Sequence, residues 1–311
     1  RDHEHDDRRD HEHDDRRDRQ RAPGTAWLAG RMHVFLTGAS GYIGSSVLRA
    51  LVAHGHEVTA IVRSDEKAQR VRDAGGHAIV GDVTDTDVVE RLAHETDGVV
   101  HTASAEQVDP GFTATVLRAL EGTPKPFVHT GGIFTFGNST DISEQSPIDP
   151  PALTAWRVAN EAAVRSSSAH TTIVAPGIVY GRGAGIPAMF VGDGEHEVRL
   201  VGDGSQRWTT VHIDDLGELY VLALHRAEQD GYVVAATGDN PTLREIAEAG
   251  AHGSPVVAES VDESRGRLGD AYADALLLHQ EASGAHARAA FGWNPTRPSL
   301  VEDLADGSYV R

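Results

Sequence analysis

Three glycines at a fixed spacing, Gly38, Gly41 and Gly44, stand between a short apolar run, His33–Thr37, and an amphipathic stretch, Ser45–His54. The backbone there has to turn from strand to helix within a few residues, and a side chain at these positions would block the turn. Such a turn presses backbone N–H groups and a helix N-terminus against an anion, and the pyrophosphate of a dinucleotide is the usual occupant. The residues expected to cradle it are Gly38, Ser40, Gly41, Tyr42, Ile43 and Gly44.

The chain continues in the rhythm that this turn opens. Apolar runs at Glu57–Arg63, His77–Val80, Gly98–His101, Pro126–Thr130 and Thr171–Ala175 read as strands. Helical stretches are expected between them at Asp65–Ala74, Thr86–His94, Phe112–Leu120 and Ala152–Ser167. In Ser45–His54, Val47, Leu48, Leu51 and Val52 fall at helical spacing and Gly55 ends the run. Short apolar strands alternating with helices predict a parallel sheet covered on both faces, an α/β Rossmann-type doubly wound fold. The rhythm breaks after about residue 181. A strand at Trp208–His212, helices at Asp214–His225 and Thr242–Glu248, and a mostly helical Asp270–Phe291 follow. Residues 32–180 are thus expected to be the dinucleotide-binding core, and 181–311 a smaller C-terminal substrate lobe woven into the same unit.

The end of the second strand selects the dinucleotide. An acid there would accept from a ribose 2′-hydroxyl and favour NAD, but the chain has Arg63, Ser64 and then Lys67. Cations suit a 2′-phosphate, so NADP is expected over NAD, the alternative being an ordinary surface Arg. Asp82 and Val83 are placed to flank the adenine, and Ala103 and Ser104 to run along the phosphates and ribose.

The 28 Lys and Arg residues face 47 Asp and Glu, a formal net charge of −19. A basic nucleic-acid-binding surface is therefore not expected, since phosphate neutralisation supplies most such affinity. There is no cysteine, which excludes disulfides, thiolate catalysis and zinc ribbons, and no metal site is expected. No apolar run is long enough for a membrane span and no secretory signal is seen, so a cytoplasmic protein is expected. At the N-terminus, RDHEHDDR at 1–8 repeats unchanged at 9–16. Such a segment has no apolar area to offset its ordering entropy, so residues 1–31 are expected to be a disordered tail.

With these motifs in view, the chain resembles the short-chain dehydrogenase/reductase superfamily in its extended and atypical branches. TGASGYIG at 37–44 is similar to the superfamily's glycine motif, and GDVTD at 81–85 and VVHTAS at 99–104 to its adenine and ribose strands. PGIVYGRG at 176–183 is similar to the segment passing the nicotinamide, which implies Pro176 and Ile178 as cofactor contacts. WTTVHIDDLGELYVLAL at 208–224 looks like a stretch of the substrate lobe. The resemblance covers about residues 32–310. It also implies a possible homodimer through the helices flanking the fifth strand.

The resemblance implies catalysis by Ser or Thr, Tyr and Lys. The Tyr moves a proton at a carbonyl, and the Lys lowers its pKa. The helix before the sixth strand should carry Y-x-x-x-K but reads LTAWRVANEAAV at 153–164, which sets Trp156 and Asn160 at the Tyr and Lys positions. No Tyr lies between Tyr42 and Tyr180, and the fifth strand runs into HTGGIFTFG, with Gly131 or Gly132 where a Ser is usual. Thr130 is the nearest hydroxyl, and Tyr180 is a candidate within the VYG segment. Arg157 is weighed as an electrophile, although a helix-surface role is the simpler reading. His129 is expected to pack away from Thr130 by strand alternation. His212 with Asp214 and Asp215 could form an acid–base pair but reads mainly as structural. Trp156, Phe134, Phe136 and Trp208 could line an apolar pocket or simply fill the core.

Three functions follow. The first is an NADP-dependent oxidoreductase acting on a small, fairly apolar carbonyl, enone or imine. The second is a non-redox cyclase, isomerase or hydro-lyase of secondary metabolism on the same fold, favoured by loss of both Tyr and Lys. The third is a non-enzymatic NADP sensor.

Overall fold

The computed structural model describes residues 30–226 and 231–309; the rest of the tail expected to be disordered, residues 1–29, lies outside the described residues. Strands β1 (His33–Thr37), β2 (Glu57–Val62), β3 (His77–Val80), β4 (Gly98–His101) and β5 (Pro126–Thr130) alternate with helices α1 (Tyr42–Ala53), α2 (Asp65–Asp73), α3 (Thr86–Glu95) and α4 (Asp109–Leu120). Next come β6 (Ser139–Ile142), α5 (Arg157–Arg165), β7 (His170–Pro176), β8 (Ile178–Tyr180), β9 (Val198–Arg199), β10 (Thr210–His212) and α6 (Ile213–His225). The chain ends with β11 (Gly231–Ala235), α7 (Leu243–Gly250), β12 (Val256–Val257), α8 (Val261–Leu268), α9 (Asp270–Leu276), β13 (Gln280–Ala282), α10 (Ala285–Phe291) and α11 (Leu300–Asp306).

Seven strands form one sheet in the order β11-β7-β5-β4-β1-β2-β3. All its pairings are parallel, with β1 against β2 and β4 in the middle. This is the expected doubly wound α/β fold, and β4, β5 and β7 are buried nearly end to end because helices cover both faces. The outermost strand, β11, comes from beyond residue 180, so the sheet crosses the expected lobe boundary. No helix among the described residues is long and apolar enough to cross a membrane.

Helix boundaries follow local chemistry. Ser64 caps α2 by accepting from the Lys67 N–H at 3.3 Å, with Asp65 and Glu66 in the first turn and Arg70 and Arg72 in the last. Capping boxes start α7 (Thr242, Glu245), α8 (Ser260, Glu263) and α11 (Ser299, Glu302). One expectation needs correction: residues 152–156 form turns, and the helix begins only at Arg157. Asp270–Phe291 is mostly helical, in α9 and α10. Between them β13 pairs with β6 while the Gln280 amide donates to the Ile133 and Gly137 carbonyls at 2.9 and 2.8 Å. Those bonds hold the segment extended where its composition reads helical.

One apolar cluster fills a face of the sheet, with Phe35, Val99, Phe112, Phe127 and Ile173 at its centre. A second cluster, with Tyr180, Phe190, Trp208, Ile246 and Leu304, builds the C-terminal lobe. Each large side chain removed from water in this way contributes about 1.5–3 kcal/mol. Between α1 and α6 the approach is closer than side chains allow: a Cβ on Gly217 would lie 3.0 Å from the Ser46 carbonyl oxygen.

Tighter still is the glycine turn, where a Cβ on Gly44 would sit 2.1 Å from the Gly38 carbonyl oxygen and 2.5 Å from Thr102 Oγ1. Neither neighbour is the free end of a flexible side chain. Gly44→Ala is therefore expected to lower the free energy of urea unfolding by about 1–3 kcal/mol, as overpacking does elsewhere. An unchanged unfolding midpoint would show that the turn can widen.

Candidate active site

The carboxyl ends of β1, β2 and β4 open into a cleft of about 380 Å³. It lies where strand order reverses between β1 and β4, the place where open α/β sheets bind ligands. Of the predicted cofactor residues, Gly38, Ser40, Gly41, Arg63, Asp82, Val83, Ala103 and Ser104 line it, together with Lys67 and Thr102. Gly38 has φ 72°, and a Cβ there would meet Thr102 Oγ1 at 2.6 Å, so only glycine fits. Gly41 begins α1 with no side-chain cap and no acid in the first turn. The first N–H groups of α1 are thus left for an anion, and the cradle fits a pyrophosphate.

Tyr42, Ile43, Gly44 and Ser64 are placed beside this cleft rather than on its lining. The Tyr42 hydroxyl donates to the carbonyls of Gly181 and Ala184 at 2.8 and 3.1 Å, tying α1 to the C-terminal lobe. Ile43 is half-buried at the start of α1 and Gly44 is buried in the turn. Pro176 and Ile178 are buried, Pro176 opposite Ala235 in the sheet and Ile178 in the second apolar cluster.

At the far end of the cleft Arg63 is exposed at the close of β2, with Lys67 on α2. Neither side chain has a hydrogen-bond or ion-pair partner among the described residues. Asp82 accepts from the Thr84 N–H and hydroxyl at 2.9 and 2.8 Å, which with the Arg63 charge holds its carboxyl below the usual range.

At the other end Ser104 lines the cleft, and behind it residues from β5, α4 and α5 meet. The Arg157 Nη1 donates to Ser104 Oγ at 2.9 Å and to the Thr130 carbonyl at 3.0 Å. Its guanidinium lies 4.5 Å from the centre of the Trp156 ring, a cation–π contact. The surface reading of Arg157 is thereby corrected: it reaches inward because α5 starts at this residue, one turn ahead of buried Glu161 and two ahead of Val164. Ser104 in turn donates to Asp109 Oδ2 at 2.5 Å.

The four catalytic candidates lie elsewhere or are otherwise engaged. Thr130 is buried, its Oγ1 2.6 Å from both the His101 carbonyl and the Tyr220 hydroxyl, so it is spent inside the core. Asn160 is buried with Nδ2 3.3 Å from His129 Nε2, not facing the cleft. Trp156 is half-buried under the Arg157 guanidinium. Tyr180 is fully buried, donates to the Pro298 carbonyl at 2.7 Å, and is pushed well above its ordinary pKa by burial. It packs edge-on to His212, which itself caps α6 by accepting from the Asp214 N–H at 3.1 Å. Asp214 binds Arg182 and Ser46, and Asp215 accepts from the Thr296 and Arg297 N–H groups. Of the aromatics weighed for an apolar pocket or the core, Phe136 lies in the first cluster and Trp208 in the second, with Phe134 packed against both.

Sequence reasoning missed Asp109, Tyr220 and Glu161. No metal site was expected, yet His101, Asp109 and His129 bring ligand-type atoms within 4.8 Å of one another, all buried. Hydrogen bonds already account for much of this group. Thr37 Oγ1 lies 2.7 Å from His101 Nδ1, and His101 Nε2 lies 3.2 Å from Asp109 Oδ1, which also accepts from the Ala105 N–H at 2.7 Å. Burial opposes the Asp109 charge, but these bonds and the neighbouring His101 bring its carboxyl below the ordinary range. Desolvation, followed by the His101 charge, holds His129 down at about 3, so its ring is neutral.

Residues 38–224 match the NAD(P)H-binding family. The chain is 30% identical to an uncharacterised protein of Schizosaccharomyces pombe over 89% of its own length and 100% of that protein's. It is 28% identical to the UDP-glucose 4-epimerase of Mycolicibacterium smegmatis, covering 88% of this chain and 96% of that enzyme. A 4-hydroxy-2-methyl-3-oxo-4-farnesyl-3,4-dihydroquinoline-1-oxide ketoreductase of Stigmatella aurantiaca is 30% identical over 63% of this chain and 65% of its own. Among solved structures, a Thermus thermophilus UDP-glucose 4-epimerase complexed with NAD superposes with a TM-score of 0.70 at 22% identity, over 89% of this chain and 99% of that one. A human epimerase family protein with NADPH superposes with a TM-score of 0.69 at 22% identity and the same coverages. The chain therefore belongs to the NAD(P)H-binding family, and it shares its fold with these epimerases.

Glu161 carries a pH signature. Burial pushes its carboxyl up to about 7 against the opposing charge of Arg157 and the hydrogen bond from the Tyr232 hydroxyl, while Oε1 has no hydrogen-bond partner among the described residues. The folded state thus binds a proton more tightly than the unfolded one, whose carboxyl titrates near 4.5. Stability from this group is full below about 4.5 and is lost as pH rises through about 7. Glu161→Gln is expected to flatten that slope and to be more stable than wild type at about pH 8 by roughly 1–3 kcal/mol, read from urea midpoints across pH. Parallel pH curves for the two proteins would contradict the assignment.

Proposed function

We propose that the protein binds NADP in this cleft and transfers hydride between it and a small, fairly apolar carbonyl, enone or imine. The observation that carries the reading is the pairing of an uncapped glycine turn with two cations, Arg63 and Lys67, that no side chain among the described residues neutralises by direct contact. In a chain of net charge −19, leaving two cations together at one cleft end favours a 2′-phosphate over a bare ribose. The ketoreductase relative supports a redox reaction on this fold, while the epimerase relatives support the fold and a dinucleotide alone.

When bound, the dinucleotide would supply or accept the hydride. The chain's own part falls to Arg157 and Ser104. Arg157 keeps N–H donors beyond the two bonds made by Nη1, and a guanidinium does not give up a proton near neutral pH. It therefore acts as an electrophile: it holds the substrate oxygen and stabilises the negative charge that grows there, and water delivers the proton. No Tyr lines the cleft among the described residues, which favours a second reading, a non-redox cyclase, isomerase or hydro-lyase using the same electrophile without net hydride transfer.

Titration of the purified protein with NADPH and NADH by fluorescence separates these. Tight NADPH with weak NADH binding is expected; binding of neither would leave only chemistry without a dinucleotide. Arg63→Glu is expected to weaken NADPH binding about tenfold or more and NADH binding less than about threefold. Equal losses would return Arg63 to a surface role. On a carbonyl and enone panel at saturating NADPH, Arg157→Met is expected to lower kcat by about 10²–10³, the size seen on removal of one oxyanion donor. Undiminished NADPH consumption would remove Arg157 from the reaction.

A further inference from the structure

The Asp109 carboxylate has no exposed surface, yet it lies one side chain away from the cleft. It is the first residue of α4, after the Val108 cap, and its oxygens are not spent on the helix's own N–H groups. Its oxygens are occupied by Ser104, the Ala105 N–H and His101, and His101 is held from behind by Thr37 at the end of β1. The hydrogen-bond directions at Asp109 follow from its carboxylate, which only accepts. His101 Nε2–H donates to Asp109 with Thr37 Oγ1 2.7 Å from Nδ1 on the other side of the ring, and Ser104 donates its only hydrogen to Asp109. Ser104 is left with lone pairs alone for Arg157 and the cleft.

We propose that Asp109 is a positioning residue that sets Ser104 as an acceptor and Arg157 as a donor, side by side, at the nicotinamide half of the cleft. The proposal rests on the NADP reading above. An acceptor and a multiple donor in that arrangement are complementary to a group that both gives and takes hydrogen bonds, such as a ribose diol or carboxamide. The carboxylate does not touch the ligand. It acts through Ser104, which stands between it and the guanidinium, and through His101 it refers their position to the end of β1, where the glycine turn begins. Buried, charge-assisted bonds of this kind keep a side chain in one rotamer better than solvent-facing ones do.

The test compares wild type with Asp109→Asn, Ser104→Ala and the double variant. For each, the dissociation constants of NADPH and of 2′,5′-ADP, a probe of the adenine end alone, are measured with the fluorescence anisotropy of the bound reduced nicotinamide. Each single variant is expected to bind 2′,5′-ADP within about twofold of wild type, to bind NADPH about five- to tenfold more weakly, and to lose nicotinamide anisotropy. The double variant is expected to be no worse than the worse single, because both changes break the same chain. Additive losses, unchanged anisotropy, or an equal loss of 2′,5′-ADP binding would each overturn the proposal, the last by showing a general structural role. One equivalent of zinc or iron in the purified protein would overturn it too, by making His101 and Asp109 ligands. If wild type binds neither nucleotide, the NADP reading itself has failed and the proposal falls with it, a pattern distinct from failure of the variants alone.

Discussion

The approach of three backbone segments at the head of the sheet governs the rest of the molecule. The end of β1, the first turn of α1 and the residues after β4 meet at distances that admit no Cβ on Gly38 or Gly44. Thr102 seals the junction, its hydroxyl donating to the Thr37 carbonyl at 2.7 Å and its N–H reaching the same residue. Because β1 pairs with both β2 and β4, fixing its end fixes the line along which both halves of the cleft open. The turn is therefore a packing constraint as much as a ligand cradle. The same contacts that expose α1's first N–H groups also hold the strands in register.

From that junction a second polar layer extends sideways. Thr37 and His101 are buried, and their side chains lead to Asp109, Ser104 and Arg157 without a break longer than 3.2 Å. Groups buried so completely are destabilising unless each is satisfied. Satisfied, they leave few alternative arrangements, which is what a site built on short strand ends needs. Thr130 and Tyr220 complete a parallel link on the other side of β5, joining the strand to α6. Strand alternation separates the two systems as expected, with His129 facing Asp109 and Asn160 and Thr130 facing Tyr220.

Much of the fold was legible because its signals are local. Apolar runs bounded by turn residues marked β1, β3, β4 and β5 at their observed limits. Two-residue strands such as β9 and β12 carry too little pattern to be seen, and β13 is held extended by Gln280 contacts to residues more than a hundred positions away. Most of the cleft lining was legible for the same local reason. The polar group beside Ser104 was not. Matching a motif by position pointed to Trp156 and Asn160, whereas helical geometry turns Arg157 inward. Val164 marks the buried stripe of α5, and counting back three, four and seven residues gives Glu161, Asn160 and Arg157, all polar on an inward face. A stripe of polar residues where apolar ones belong is a readable sign of a site. Asp109 gave no such sign, because the expected helix began only at Phe112 and left Asp109 in the polar turn before it.

An inward-facing Arg also changes what the chemistry can be. A Tyr–Lys pair combines a proton donor with a cation that tunes it, and both are titratable groups whose balance depends on pH. A guanidinium has one protonation state across the working range. A site built on Arg157 can stabilise charge on an oxygen but cannot tune a proton, so its rate should follow pH only through the substrate and water. Asp109, kept ionised by its hydrogen bonds, and His129, kept neutral by burial, add no titration of their own near neutrality. Glu161 is the exception: it feels the Arg157 charge and titrates near 7. When it ionises, a second negative charge joins Asp109 near the guanidinium, which would weaken the pull proposed for it on a substrate oxygen. Any fall in rate above neutral pH would therefore be traced to α5's own second turn, not to a catalytic acid in the cleft.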